Sequence, residues 1–175
     1  MTSTATRPAT TEHLPYYARY IELVHGDDAL AALRSQLRET MAFFNCISNE
    51  ETLVRYAPDK WNVREVVGHM IDTERIMAYR ALRIARGDQT PLPGFEQDDY
   101  VRVAQFEHVR WSALVEEFDL VRRANIEMFS GFTKEAWART GTASGAAVSA
   151  RALAWIIAGH ELHHRNVIEQ KYLHR

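Results

Sequence analysis

Cysteine is almost missing from this 175-residue sequence, which holds Cys46 and no other. A single thiol excludes an intramolecular disulfide, and a reducing compartment is the simplest interpretation. Cys46 lies in the apolar run MAFFNCI, a setting that predicts a buried, unreactive side chain. Apolar runs of about 18 residues are also missing, so we expect no membrane-spanning helix. The polar, threonine-rich start lacks the apolar centre of a signal peptide, and we therefore expect a cytoplasmic protein.

An excess of positive charge is missing as well. The chain has 21 Lys and Arg residues against 23 Asp and Glu residues, for a net charge of -2. Nucleic-acid-binding domains usually carry a clear basic excess, so we expect neither nucleic acid nor a membrane as the partner. The remaining composition, with 46% hydrophobic residues, is typical of one globular domain with a sizeable core.

Helical periodicity is the main pattern along the chain. Residues 1–12 predict a disordered tail, and residues 13–175 predict a single domain. Asn62 and Glu65 have the spacing of a capping box at the start of a helix, and Gly87 is placed to end that helix. Apolar residues at helical spacing predict four helices, over about Asp27–Cys46, Asn62–Arg86, Glu107–Phe129 and Ser149–Tyr172.

Two irregular segments separate the later helices. Residues 87–106 contain two prolines and two glycines, which exclude a continuous helix and predict a long crossover between helices 2 and 3. Residues 131–148 form the second irregular segment, and no alternating strand pattern is found in either. The predicted fold class is therefore all-α, with a four-helix bundle as its architecture.

Histidines concentrate in the last predicted helix. The chain has eight, and three of them fall in the segment GHELHH. A helix turns by about 100° per residue, which places His160 and His164 near the centre of the apolar face and His163 at its edge. Burying two imidazoles without partners is costly, and a shared metal ion removes that cost. Two core histidines satisfied by hydrogen bonds are the alternative.

A third ligand has to come from another helix, and His69 in the second helix is the candidate. His69 sits at the boundary of the apolar stripe, a position suited to the wall of a pocket. Asp72 and Glu65 lie on the same side of this helix. Asp72 is a candidate outer-sphere acceptor or general base, with a surface carboxylate as the alternative. For Glu65 the capping box is the preferred role.

His160, Glu161 and His164 also spell HExxH, the metalloprotease motif in which Glu161 would be the general base. The extended form of that motif requires glycine and histidine where this chain has Val167 and Gln170. Few residues follow His164, and no edge strand is predicted that would hold a peptide. These features argue against a protease.

Two segments resemble a known family, the DinB/YfiT-like metalloprotein superfamily of damage-inducible helical bundles. KWNVREVVGHMIDTERIMAYRALRIARG resembles the helix that carries the family's first metal histidine, and AWIIAGHELHHRNVIEQ resembles its last helix with an HxxxH pair. QDDY at residues 97–100 is similar to part of the family's long crossover. The resemblance implies a four-helix bundle with a metal at one end, held by His69, His160 and His164. It implies zinc or nickel as the metal, and three imidazoles without a thiolate also suit Fe(II).

The resemblance also implies a function. Three protein ligands and an open position are typical of a catalytic metal. Relatives in the superfamily include bacillithiol- or mycothiol-dependent S-transferases and a mycothiol-dependent isomerase. We therefore expect a thiol S-transferase that joins a low-molecular-weight thiol to a small electrophile. A metal-dependent hydrolase of a small amide or ester, and a non-enzymatic metal-binding stress protein, are the alternatives.

A homodimer is the expected assembly, because the superfamily often pairs its bundles. Trp155 and Leu162 lie on the face of the last helix opposite the histidines. They are candidates to cover a partner subunit. The alternative is a monomer in which they pack beneath the chain's own connections.

Overall fold

The computed structural model describes residues 5–174. Four long helices form the bundle: α2 (Ala29–Asn45), α3 (Val63–Ala85), α5 (Trp111–Ser130) and α7 (Ala150–Val167), the last continuing as a π-helical turn over Ile168–Tyr172. Three short helices accompany them: α1 (Ala18–Ile21), α4 (Gln97–Ala104) and α6 (Lys134–Ala138). Short 3₁₀ turns lie at Thr10–Glu12, Pro15–Tyr17, Glu51–Leu53 and Phe106–His108. Within the described residues, no helix has the length and apolar character needed to cross a membrane.

The ends of α3 are those that the sequence predicts. The backbone N–H of Glu65 donates to the Asn62 side chain over 3.0 Å, and the N–H of Asn62 donates to the Glu65 carboxylate over 2.7 Å. This reciprocal pair satisfies two donors that a helix start leaves free. At the other end Gly87 adopts a φ of 86°, the left-handed conformation that commonly ends a helix. Glycine adopts this conformation with the least steric strain because it has no Cβ atom.

Two of the three pairs of consecutive long helices do not pack against each other. Helix α3 packs against α7 and α5, and α2 packs against the same two helices. Helices α2 and α3 therefore sit at opposite corners, as do α5 and α7. The connections from α2 to α3 and from α5 to α7 therefore have to cross the end of the bundle. It also places α7 directly against α3, which matters for the histidines.

The second connection contains a β-hairpin, so the prediction that the chain has no strands is wrong at this point. Strand β1 (Thr140–Ala143) pairs with β2 (Ala146–Ser149) in antiparallel register. Ser144 and Gly145 form the turn with φ values of 52° and 78°, as two-residue hairpins require. The strands consist mainly of small residues, which carry little of the alternating pattern that identifies strands in a sequence.

The hairpin also anchors the crossover between α3 and α5. The N–H of Leu92 donates to the Thr142 carbonyl over 2.9 Å, and the N–H of Ser144 donates to the Leu92 carbonyl over 3.0 Å. Arg80, buried on α3, adds a bond of 2.6 Å to the Pro93 carbonyl. The stretch that follows, from Gly94 to Asp98, is thereby held beside the bundle.

The N-terminal segment differs from its prediction as a disordered tail. Residues 1–4 lie outside the described residues, but the chain is packed from Ala5 onward, and Ala5 is buried. The indole N–H of Trp155 donates to the carbonyls of Ala5 and Thr6 over 2.9 and 3.0 Å, and Arg7 stacks 4.3 Å above the Trp155 ring. The chain's own N-terminus therefore covers Trp155.

Cys46 is exposed, and the prediction of a buried thiol is wrong. Cys46 follows Asn45, the last residue of α2, and is the C-cap of that helix. Phe44 and Ile47 supply the buried positions of this run, at 0% and 5% exposure. An apolar stretch at a helix end thus leaves some of its members facing outward.

Candidate metal centre

Three histidines meet where α3 packs against α7. His69 comes from α3, while His160 and His164 lie one helical turn apart on α7. The Nε2 atom of His160 is 3.1 Å from Nε2 of His69 and 3.0 Å from Nε2 of His164. Each of the three offers a ring nitrogen within 4.8 Å of the others. The structure therefore brings together the histidines that the sequence singled out.

Burial keeps these imidazoles uncharged at neutral pH. His69 and His160 are only 4% and 7% exposed, and His164 is half-buried. Burial, with a smaller contribution from His163, lowers the pKa of His69 to about 4. Burial also lowers the pKa of His160 and of His164 well below the ordinary value, and the neighbouring imidazoles add to the effect. Neutral rings present the lone pairs that a metal ion requires.

The cluster fits a divalent metal ion. Ring nitrogens bound to zinc in tetrahedral geometry lie about 2.0–2.1 Å from the ion and therefore roughly 3.3 Å from each other. The His160 nitrogen is 3.0–3.1 Å from its two neighbours, close to that separation. Without an ion, the single Nε2 of His160 would have to satisfy both neighbouring ring nitrogens by hydrogen bonding.

Three side chains that the sequence reasoning missed surround the cluster. The Thr73 hydroxyl lies 3.4 Å from Nδ1 of His69, one helical turn along α3, where it can orient the ring. The ring centre of Trp61 is 5.0 Å from that of His69, and the Tyr20 ring lies edge-on 5.4 Å from that of His160. Spacing along the helix could have indicated Thr73. No signal in the sequence indicates Tyr20, which is far from α7 along the chain.

A glycine on α7 permits the approach of Tyr20. A Cβ atom at Gly159 would lie 2.0 Å from the backbone carbonyl oxygen of Tyr20. Only the lack of a side chain allows α1 to pack this closely on α7. The Tyr20 ring consequently contacts His160 and, at 5.3 Å, His163.

His163 stands beside the cluster. Its ring centre is 5.0 Å from that of His164, yet it is not one of the three residues whose nitrogens converge. This agrees with its place at the edge of the helix face.

Asp72 is not brought to the cluster. Its carboxylate is 4.0 Å from the Arg75 guanidinium, and within the described chain no hydrogen bond or ion pair joins it to His69, His160 or His164. Burial raises the pKa of Asp72, against the opposing effect of Arg75. The side chain belongs to the flank of α3 that faces α5.

Glu161, the acid of the HExxH pattern, is also turned away from the three nitrogens. It is 2% exposed and accepts hydrogen bonds from Arg122 and Thr40. Arg122 is fully buried and also donates twice to the Glu74 carboxylate, over 2.8 Å each. Burial alone would lower the pKa of Arg122, but Glu161 and Glu74 hold it above its ordinary value. Glu161 therefore belongs to a structural ion network in the core.

Two of the larger cavities have histidines of the cluster in their lining. The first, of about 370 Å³, includes His69 and His160 in its lining and will be called the tyrosine cavity after Tyr16, Tyr17 and Tyr20. The second, of about 460 Å³, includes His163 and His164 and will be called the Trp61 cavity. Asp98, in the first turn of α4, lines both. The crossover segment thus borders both cavities.

Comparisons with known proteins agree with this architecture. A sequence model described as the DinB superfamily matches residues 32–168. Among solved structures, YfiT from Bacillus subtilis superposes with a TM-score of 0.71 at 12% identity, over 99% of this chain and 98% of that one. YfiT is described as a probable metal-dependent hydrolase with an unusual four-helix bundle topology. At this identity the likeness concerns the fold. No curated protein matches the sequence.

Proposed function

This chain belongs to the DinB superfamily, and from its histidine cluster we propose that it binds one divalent metal ion through His69, His160 and His164. The observation that carries the proposal is the convergence of three neutral ring nitrogens between two cavities. Zinc or nickel is the proposed metal, with iron(II) as a further candidate, since imidazole ligands suit all three. Three protein ligands leave room for a reactant.

The proposed reaction is the transfer of a low-molecular-weight thiol to a small electrophile. A bound divalent ion would supply Lewis acidity that lowers the pKa of a thiol or of water. The chain's residues prepare the site: burial keeps the imidazoles neutral, and Thr73 orients His69. The rings of Tyr20 and Trp61 pack against His160 and His69 and limit how these imidazoles can move. Within the described chain, no hydrogen bond or ion pair joins a carboxylate to the three histidines, so the site offers no general base beside them. This favours a thiol nucleophile, because a thiol loses its proton more readily than water does.

Hydrolysis of a small amide or ester is the second candidate. The observation in its favour is the likeness in fold to YfiT, which is described as a probable metal-dependent hydrolase. Water would then be the nucleophile in the same position. The two reactions differ in a simple measurement, because only transfer consumes a thiol.

The metal ligands are tested by elemental analysis of untagged protein. We expect about one ion per chain, loss of most of it in His164→Ala, and retention of it in the matched variant His163→Ala. Full metal content in the double variant His160→Ala/His164→Ala would overturn the assignment.

The reaction is tested by incubating metal-loaded protein with N-acetylcysteine and 1-chloro-2,4-dinitrobenzene, and separately with p-nitrophenyl acetate. We expect metal-dependent loss of the thiol. Ester cleavage without thiol loss would favour the hydrolase, and no turnover of any substrate would favour a non-enzymatic metal protein.

We also propose a homodimer. The proposal does not depend on Trp155, which the N-terminal segment covers. Light scattering at micromolar concentration is expected to give twice the mass of one chain. A mass of one chain would remove this proposal.

A further inference from the structure

The buried ion network of Glu74, Arg122 and Glu161 borders the histidine cluster. Glu161 directly follows His160 on α7. A void of about 10 Å³, with room for about one water molecule, has His160 and all three members of the network in its lining. The network therefore comes within a water-sized space of a proposed metal ligand.

This network carries a net negative charge. Glu74 and Glu161 each form an ion pair with Arg122, so two negative charges stand against one positive charge and leave a net charge of −1. The three side chains are almost fully buried. Asn125 adds only a neutral amide, which donates to the Glu74 carboxylate over 3.1 Å. Solvent ions screen a buried charge of this kind far less than an exposed one.

Nearby guanidinium groups do not cancel that charge. Arg165 reaches the Thr40 hydroxyl over 3.3 Å, but it pairs with the exposed Glu39 carboxylate over 3.4 Å. Arg19 acts on the histidines from α1, where its side chain is exposed and water screens it. The network therefore keeps its unbalanced negative charge on the side of the cluster that faces the core.

Stability alone does not account for the second carboxylate. One carboxylate and one guanidinium would form a neutral pair, whereas a further buried carboxylate has to be taken out of water without a cation of its own. A divalent ion among three neutral imidazoles has the converse problem, because its ligands bring no negative charge. Opposite charges in a protein interior attract more strongly than the same charges in water.

We propose that the network is the counter-charge of the metal centre, and that Glu74 and Glu161 raise the affinity of the three histidines for a divalent cation without contacting it. This inference rests on the proposed metal binding and adds positioning residues to it. Arg122 holds the two carboxylates in place, and their excess charge acts on the ion across the small void.

The first test measures the affinity for zinc of the metal-free chain, by competition with a chromophoric chelator. Glu74→Gln keeps the shape of the side chain and brings the net charge of the network to zero. We expect about tenfold weaker binding, at the lower end of what outer-sphere residues contribute. Glu74→Asp keeps the charge and should stay within about threefold of the unmodified protein.

A matched control separates the local charge from the charge of the whole protein. Glu116→Gln makes the same change at an exposed position of α5. It should alter the affinity by less than about twofold, because solvent screens an exposed carboxylate. Equal zinc affinities of Glu74→Gln and Glu116→Gln would overturn the counter-charge role.

A second variant neutralises the network without removing a carboxylate. The Asn125 side chain is half-buried beside Glu74, so Asn125→Lys places an ammonium group where it can pair with that carboxylate. The fold should be retained, yet zinc should bind about tenfold more weakly than in Asn125→Met, which has a similar length and no charge. If the network served stability alone, these two variants would bind zinc equally well.

Two further readouts separate this inference from the proposed function. The visible spectrum of the cobalt(II) protein reports the ligands and should be the same in every variant, because the histidines are unchanged; an altered spectrum in Glu74→Gln or Asn125→Lys would contradict a purely electrostatic role. With zinc in excess all variants should fill the site. If the unmodified chain binds no zinc, the metal proposal fails and the counter-charge with it. If it binds zinc and all variants have the same Kd, the metal site stands and the counter-charge is wrong.

Discussion

Replacing Arg122 with methionine tests whether the ion network beside the histidine cluster is structural. The guanidinium is fully buried and holds two carboxylates at once, Glu74 through two bonds of 2.8 Å and Glu161 on its other side. Methionine fills much of the same space but leaves both carboxylates without a cation. Removing one member of a buried ion pair costs about 3–5 kcal/mol.

The loss appears as a lower free energy of unfolding. We expect Arg122→Met to unfold in urea with an unchanged slope and a stability reduced by about 3–5 kcal/mol. For a chain of this length the melting temperature should fall by about 6–20 °C. The matched control is Arg123→Met, one residue further along α5, where an exposed guanidinium pairs with Asp119 over 2.8 Å. Solvent screens that exposed pair, so Arg123→Met should change the stability far less than Arg122→Met does.

A companion substitution addresses Glu161 as a catalytic base. Glu161→Gln keeps the shape of the side chain and should lower stability while the folded protein retains metal and turnover. Equal stabilities of Arg122→Met and Arg123→Met would refute the structural role of the network. A fully stable Glu161→Gln protein that has lost its activity would show that Glu161 acts in the chemistry after all.

Three further predictions concern the metal and the packing around it. Chelation should leave helical circular dichroism nearly unchanged, because the core is large without the metal. The free energy of unfolding should fall by about 4 kcal/mol where free metal had been a thousandfold above its Kd, and the melting temperature should fall with it. Unfolding at room temperature would contradict this. The metal-free protein should lose stability as pH falls from about 6.5 toward 4. In this range His69 binds a proton in the unfolded chain but not in the folded protein, where its pKa is lowered to about 4. The melting temperature should therefore depend less on pH in His69→Ala. Gly159→Ala should destabilise the fold by about 1–3 kcal/mol, because the new methyl group would overlap the Tyr20 carbonyl. Gly131→Ala is the control and should be tolerated, because its methyl group would lie 3.5 Å from the nearest backbone oxygen. Equal melting temperatures of the two variants would contradict the close approach of Tyr20 to Gly159.

Local interactions are what the sequence by itself determined. The limits of α3 follow from the Asn62–Glu65 capping box and from Gly87, which act within a few residues. His160 and His164 share a face because a helix repeats every 3.6 residues, whatever surrounds it. The family likeness in these two helices also indicated the bundle.

Tertiary packing decided the rest. Asp72 lies within about 60° of His69 around α3, yet the cluster forms without it, because the packing of α7 on α3 brings His160 to the His69 ring. Tyr20 reaches the cluster because Gly159 lets a distant segment approach, and the Ala5 carbonyl is held by hydrogen bonds from the Trp155 indole and the Ala29 backbone N–H. Such contacts join residues far apart in the chain, and their free energy depends on shape and burial that no local pattern of residues encodes.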